Sequence, residues 1–299
     1  MPPRHRARVR RSVVFAAVTT AVLVTGSVAA GAYSLGRSPH AAPGAVSSAA
    51  PSASPSGTLD PQAAEAAVDL DTVLAAAVQP VVGQSDASLS VAVLDTGSGR
   101  SAVYGDETYD TASIVKVDIL AALLLGAQDV GRSLTATEKT RASAMIRLSD
   151  NTAATALWQT IGGARGLDAA NGRLGLGETA GADAWGLTQT TVRDQLALLQ
   201  AVFGMDSVLS EASRTYLQGL MQQISTDQDW GVSAAGSGWA LKNGWMPRTA
   251  TGLWDINSIG RVSVDGGVCL VAVLSDGHAT KEAGIALVEA AARKAVGSL

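Results

Sequence analysis

Ser113 and Lys116 stand three residues apart in Thr111-Ala-Ser-Ile-Val-Lys116, and residues three apart on a helix share one face. A serine hydroxyl is a weak nucleophile until a neighbouring base takes its proton, and a neutral lysine amine can be that base. At the start of a helix the serine would also have an unpaired backbone N–H near the reacting carbonyl, which begins an oxyanion site. Thr111 is placed to cap that helix. Chance alone supplies one Ser-x-x-Lys in roughly half of chains with this composition, so the pair needs company. Ser149-Asp150-Asn151 offers a hydroxyl and an amide at the junction of two helical segments, although all three residue types also serve as ordinary helix caps. Lys242-Asn243-Gly244 follows the strand-like Ala240-Leu241 and offers a second amine. If the two lysines converge on one cleft, each disfavours the charge of the other, which lowers the Lys116 pKa toward the range a base needs.

The elements that must position these groups are legible as periodicity. Residues 88–95 alternate apolar and small side chains and join 101–104 through Gly97-Ser98-Gly99, which predicts a hairpin. Helical spacing of apolar residues recurs over 113–126, 137–147, 150–160, 190–203 and 209–223. Strand patterns return at 239–243, 253–262 and 267–275, the last two joined by Asp265-Gly266-Gly267, and a helix from Lys281 to about Val296 closes the chain. Two strands, a helical block, three strands and a terminal helix predict an α+β fold: an antiparallel β-sheet flanked by helices, with an inserted all-helical region. Upstream, Asp60-Pro61 reads as an N-cap and first helical residue, with an Ala-rich helix running to about Val78. Residues 60–299 are therefore expected to form the folded domain. Residues 37–59 are Ala, Pro, Ser and Gly with almost no large apolar side chain, the composition of a flexible tether.

Composition narrows the function. An apolar fraction of 47% supports a sizeable core, and a net charge of −4 without a dense basic run after residue 37 argues against nucleic acid. The single cysteine, Cys269, lies in an apolar run and reads as a small buried hydrophobe; no disulfide or thiolate metal cluster can form within the chain. With His5 and His40 in segments not expected to fold, a Ser-His-Asp triad would depend on His278 alone. Residues 1–36 read as an address. Five arginines between Arg4 and Arg11 precede an uncharged stretch from Ser12 to Gly36, longer than the ~20 residues that cross a bilayer. This pattern places the rest of the chain outside the cell, as a secreted or anchored protein whose only membrane contact is that segment. Cleavage near Ala30-Gly31-Ala32 and retention as an anchor both remain open.

In this order, Ser113-x-x-Lys116, Ser149-Asp150-Asn151 and Lys242-x-Gly244 resemble the motif set of serine β-lactamases and penicillin-binding proteins. The likeness to class A β-lactamases extends through Ser149-Asp-Asn-Thr-Ala-Ala, Thr160-Ile161-Gly162-Gly163 and Thr190-Thr191 with Arg193-Asp194, and spans about residue 65 to the end. The resemblance implies that Ser113 attacks a carbonyl and that Lys116 takes its proton, directly or through Ser149. It implies that Ser149 passes a proton to the departing nitrogen, that Asn151 holds the substrate's amide side chain and that Lys242 attracts its carboxylate. Asn243 and Gly244 complete that binding edge, and the N–H groups of Ser113 and Trp245 form the oxyanion hole. No metal or organic cofactor is implied.

Three departures stand out. The segment Leu174–Leu187 is shorter than its family counterpart and lacks the Glu-Pro-x-Leu-Asn pattern whose glutamate activates the hydrolytic water; Glu178 and Asp183 are the only acids in it and the candidate deacylation bases. The segment between Lys116 and Ser149 is also short, which predicts an open cleft. Asn243 stands where a threonine or serine is usual, and Trp239, Trp245 and Trp254 fall near this edge, with Trp245 expected to flank the cleft. These observations lead to an exported, monomeric serine hydrolase that forms an acyl-enzyme on Ser113 with a small-molecule β-lactam or a peptidoglycan-derived amide and deacylates slowly. A D-Ala-D-Ala peptidase-like acylase and a retired envelope-binding module are the alternatives.

Overall fold

A computed structural model describes residues 68–299. The segments read as an address and a tether, and the helix start at Asp60-Pro61, lie outside these residues. Among the described residues no helix is long and apolar enough to cross a membrane. The first helix, α1 (Leu70–Val82), is capped by Asp69, whose carboxylate accepts from the Asp71 and Thr72 N–H groups. A helix running unbroken from Pro61 to Val78 is thereby corrected, because the cap holds Asp69 in an extended conformation.

Seven strands follow in chain order: β1 (Ser88–Asp95), β2 (Ser101–Tyr104), β3 (Tyr109–Asp110), β4 (Gln189–Thr190), β5 (Ser237–Pro247), β6 (Trp254–Val264) and β7 (Gly267–Asp276). Five form one antiparallel sheet in the order β2-β1-β7-β6-β5, and β3 pairs with β4 apart from it. Strand alternation assigns its faces. Val91, Val93, Val271 and Val273 pack with α1 and the terminal helix α8 (Lys281–Val296), whereas Ala92, Leu270, Ala272 and Leu274 face the helical block. Each fully buried Val or Leu contributes about 1.5–3 kcal/mol, so a one-residue slip of either central strand would forfeit several such terms. The β6–β7 connection is a two-residue turn in which Asp265 and Gly266 both have positive φ, the geometry that matches strand twist.

The helical block is built on α2 (Val115–Asp129), buried on nearly every side, as expected of a helix apolar all round. Around it lie α3 (Ala136–Arg147), opened by the Thr135/Glu138 capping box, and α4 (Asn151–Ile161), α5 (Gly163–Leu174), α6 (Val192–Phe203) and α7 (Glu211–Met221). Helix α5 was not expected from the sequence. Its glycines weaken the helical signal, yet Gly166 is needed because a Cβ there would meet the Ile161 carbonyl oxygen at 1.6 Å. Helix α6 begins two residues later than expected, since Thr191 caps it and Gln189-Thr190 pair with β3.

Candidate active site

Ser113 lies in a 3-10 turn, Ala112–Ile114, that leads directly into α2. From the first turn of α2 the Lys116 side chain reaches back, and its Nζ lies 2.9 Å from Ser113 Oγ. Thr111 does not cap this helix as its type suggested: it has helical dihedrals and its buried hydroxyl makes no hydrogen bond. Ala112 and Ser149 are non-glycine residues at φ +47° and +55°, a conformation costing about 1–3 kcal/mol each that the surrounding packing must hold. At Ser149 the result is two contacts with the lysine amine. Its carbonyl oxygen is 2.7 Å and its hydroxyl 3.0 Å from Lys116 Nζ.

Asp150 caps α4 by accepting from the Ala153 N–H at 2.6 Å, while its neighbour Asn151 turns its amide oxygen to Lys116 Nζ at 2.8 Å. The capping reading of this triplet holds at Asp150, while Ser149 and Asn151 turn their side chains to Lys116 Nζ. On β5, alternation puts Ala240, Lys242 and Gly244 on the face toward the helical block. Lys242 Nζ donates to Ser149 Oγ at 3.1 Å and to the Asn243 carbonyl at 2.8 Å. Gly244 lets the strand close on the nucleophile's turn, because a Cβ there would stand 2.7 Å from the Thr111 oxygen and 2.9 Å from the Ser113 nitrogen. Asn257 of β6 fastens the same turn by donating to the Asp110 and Thr111 carbonyls.

Both lysines are fully buried. Burial pushes the Lys116 amine down to about 7, opposed by the Asp150 carboxylate. Lys242 is held well below the ordinary lysine range, first by burial and then by the charge of Lys116. The expected repulsion thus acts on Lys242, and desolvation is what makes Lys116 a base near neutrality. Lys116 has four acceptor atoms within 3.0 Å, more than the three hydrogens of an ammonium can serve, which fixes its position against the nucleophile.

A cavity of about 490 Å³ opens beside Ser113, lined by Asn151, Trp185, Leu187, Trp245 and Trp254 among others. Trp245 flanks the cleft as expected; its ring packs edge-on against Trp230 at 6.0 Å with the Lys281 amine 4.4 Å from its centroid. Trp239 is not among the lining residues. Asn243 corrects the sequence reading: it is buried on the opposite face of β5, and its amide gives both hydrogens to the Gln228 and Trp230 carbonyls, leaving none for a substrate. Glu178 and Asp183 are exposed and do not line the cavity. The Glu178 carboxylate instead accepts from the Thr191 hydroxyl at 3.1 Å. Trp185 of the same loop lies against Lys116, whose Nζ is 4.9 Å from the ring centroid. The sequence reading passed over Trp185, since a lone aromatic in an aperiodic loop carries no positional signal.

His278 is excluded from a triad: it is buried, with Nε2 2.8 Å from Ser275 Oγ, and burial pushes its pKa down. Cys269 is buried and unpaired, as its apolar run predicts.

The profile of the beta-lactamase enzyme family matches residues 125–299, more than half of the chain. Those residues include Ser149, Asn151 and Lys242; Ser113 and Lys116 precede them. Among solved structures, a single-substitution mutant of PBP-A in an acyl-enzyme complex with penicillin-G is similar at 21% identity and a TM-score of 0.64, covering 75% of this chain and 94% of that one. A beta lactamase from Xanthomonas campestris pv. campestris is similar at 22% identity and a TM-score of 0.63, covering 76% and 97%. The TLA-1 extended spectrum beta-lactamase is similar at 16% identity and a TM-score of 0.69, covering 76% and 98%. These likenesses establish the fold. No curated protein gives a match.

Proposed function

Since the chain belongs to the beta-lactamase enzyme family of serine hydrolases, we propose that Ser113 forms an acyl-enzyme with β-lactams or related cell-wall amides and releases the acyl group slowly. The observation that carries this reading is Lys116 Nζ at 2.9 Å from Ser113 Oγ, with burial that pushes the amine down to about 7, so that a large share of it is neutral near neutral pH. The neutral amine takes the hydroxyl proton as Oγ attacks the carbonyl carbon. The departing nitrogen takes a proton from Ser149, which Lys116 and Lys242 both touch and can resupply. The N–H groups of Ser113 and Trp245 are the proposed oxyanion donors, and Lys242 the partner of a substrate carboxylate.

Slow release follows from what the cavity lacks. None of the described residues lining it is acidic, so no carboxylate there can activate water. This same observation favours a second reading, a penicillin-binding acylase that traps β-lactams without turning them over. The basic N-terminal run and the uncharged stretch after it support export, by secretion or on an N-terminal anchor. The test is intact-mass measurement after incubation with a chromogenic cephalosporin. We expect one adduct on the wild type and none on Ser113→Ala; sustained colour without an adduct would mean fast release, and a wild type with neither adduct nor colour would leave only a binding role.

A further inference from the structure

Residues 184–187 line one part of the cavity, and the loop 175–188 that carries them is strapped in place. The Asp194 carboxylate accepts from the Glu178 N–H at 2.8 Å and the Thr179 hydroxyl at 2.7 Å, and Asp168 accepts from the Gly181 N–H at 2.7 Å. Ala180 and Gln189 exchange two backbone hydrogen bonds, and the Thr111 N–H donates to the Thr188 carbonyl. Gly181 presses so closely on α5 that a Cβ would stand 2.9 Å from Ala164 Cα. The loop ends in a 3-10 turn, Trp185–Leu187, that sets the Trp185 indole over the Lys116 amine and ties its Nε1–H to Thr155 Oγ1 at 3.2 Å.

Hydrolysis of a Ser113 ester needs a water beside the carbonyl and a base to take its proton. The water oxygen would add to the carbonyl carbon, its proton would pass to the Lys116 amine, and Ser113 Oγ would leave and be reprotonated. Ser113, Ser149 and Asn151 already surround Lys116 Nζ, and the indole covers a further side. We propose that Trp185 is a positioning residue that keeps water from the Lys116 side of the site and so prolongs the life of the Ser113 ester. The inference rests on the acylation reading above, and it assigns to a specific side chain the slow release that the missing carboxylate alone leaves passive. The aromatic face attracts the charged form of Lys116, while its bulk denies that form its hydration; the net direction at Lys116 is toward the neutral amine, which desolvation dominates.

Two readouts test it on the full chain. The first follows the decay of the cephalosporin adduct by intact mass for the wild type, Trp185→Ala and Trp185→Phe. The Ala variant is expected to lose its adduct at least about tenfold faster, and the Phe variant, which restores the cover without the indole N–H, to stay close to wild type. The second uses cyanate across a pH series, compares the plateau rate that each variant reaches once its own Lys116 amine is neutral, and reads carbamylation of Lys116 by peptide mass without any acyl donor. Trp185→Ala is expected to react at least about tenfold faster than wild type. An unchanged adduct lifetime in Trp185→Ala, or unchanged carbamylation, would overturn the inference. A wild type that forms no adduct and releases no colour would sink the acylation reading instead, and carbamylation would still decide the role of Trp185. Should Trp185→Ala fail to fold, Thr155→Val removes only the indole's anchor and carries both readouts, with faster decay and faster carbamylation expected and no change in either overturning the proposal.

Discussion

On one side of the Ser113 cavity the nucleophile's turn, the Ser149–Asn151 junction and β5 bring two amines, two hydroxyls and an amide within hydrogen-bond reach of one another. On the other side the 184–187 segment brings an indole and backbone, and none of its lining residues is acidic. Forming an ester and hydrolysing it make different demands. The first needs a nucleophile and a base in contact, which the first wall supplies with strained backbone at Ala112 and Ser149 and a glycine contact at Gly244. The second needs a placed water, and the other wall has no group to place it. The proposed contrast between a wall equipped to acylate and one not equipped to hydrolyse is what the following changes break or sharpen.

Removing the base should have the largest effect. Lys116→Met is expected to slow acylation by about 10³-fold, measured by adduct formation with time. In the wild type the same rate should rise with pH through about 7, because the base acts in its neutral form and burial sets its midpoint there. A flat profile between pH 5 and 9 would assign the proton to another group. Next comes Gly244→Ala, whose methyl would push β5 away from the Thr111 oxygen and the Ser113 nitrogen. It should cost about 1–3 kcal/mol in denaturant unfolding and lower the acylation rate by about 10²-fold through misplacement alone.

Asp118 is buried on α2 against the Asn171 side chain of α5, whose amide, once turned so that its nitrogen faces the carboxyl group, donates at 2.9 and 3.1 Å. Burial pushes its carboxyl up to about 8. A folded-state pKa above the unfolded value means that stability falls as pH rises from about 4 to 8, since the unfolded chain ionises first. Asp118→Asn should remove that slope and raise stability at pH 9 by about 1–3 kcal/mol in urea titrations. The smallest effect is expected from Glu178→Gln and Asp183→Asn. Both should leave adduct decay within about twofold of wild type, because neither side chain lines the cavity; faster or slower decay would place an acid in the hydrolytic wall after all.

The acylating wall was legible in the sequence because its parts are fixed by spacing. Ser113 and Lys116 meet through one helical turn, and Lys242 and Gly244 share a face through strand alternation. The sheet strands and most helices were visible for the same reason. Asn243 failed under that very rule: its neighbours' parity puts it on the far face, where two carbonyls take its amide. Helix α5 stayed hidden because its glycines serve packing against Ile161 rather than periodicity. Trp185 stayed hidden because a loop residue's place depends on side-chain straps, Asp168 of α5 and Asp194 of α6, which follow no periodic spacing.

The most direct test of an acylating site without hydrolytic machinery is a rapid-mixing progress curve with a chromogenic cephalosporin. The account predicts a burst of colour equal to about one molecule per Ser113, followed by a steady rate at least about 100-fold slower. A linear curve with fast turnover and no burst would contradict it.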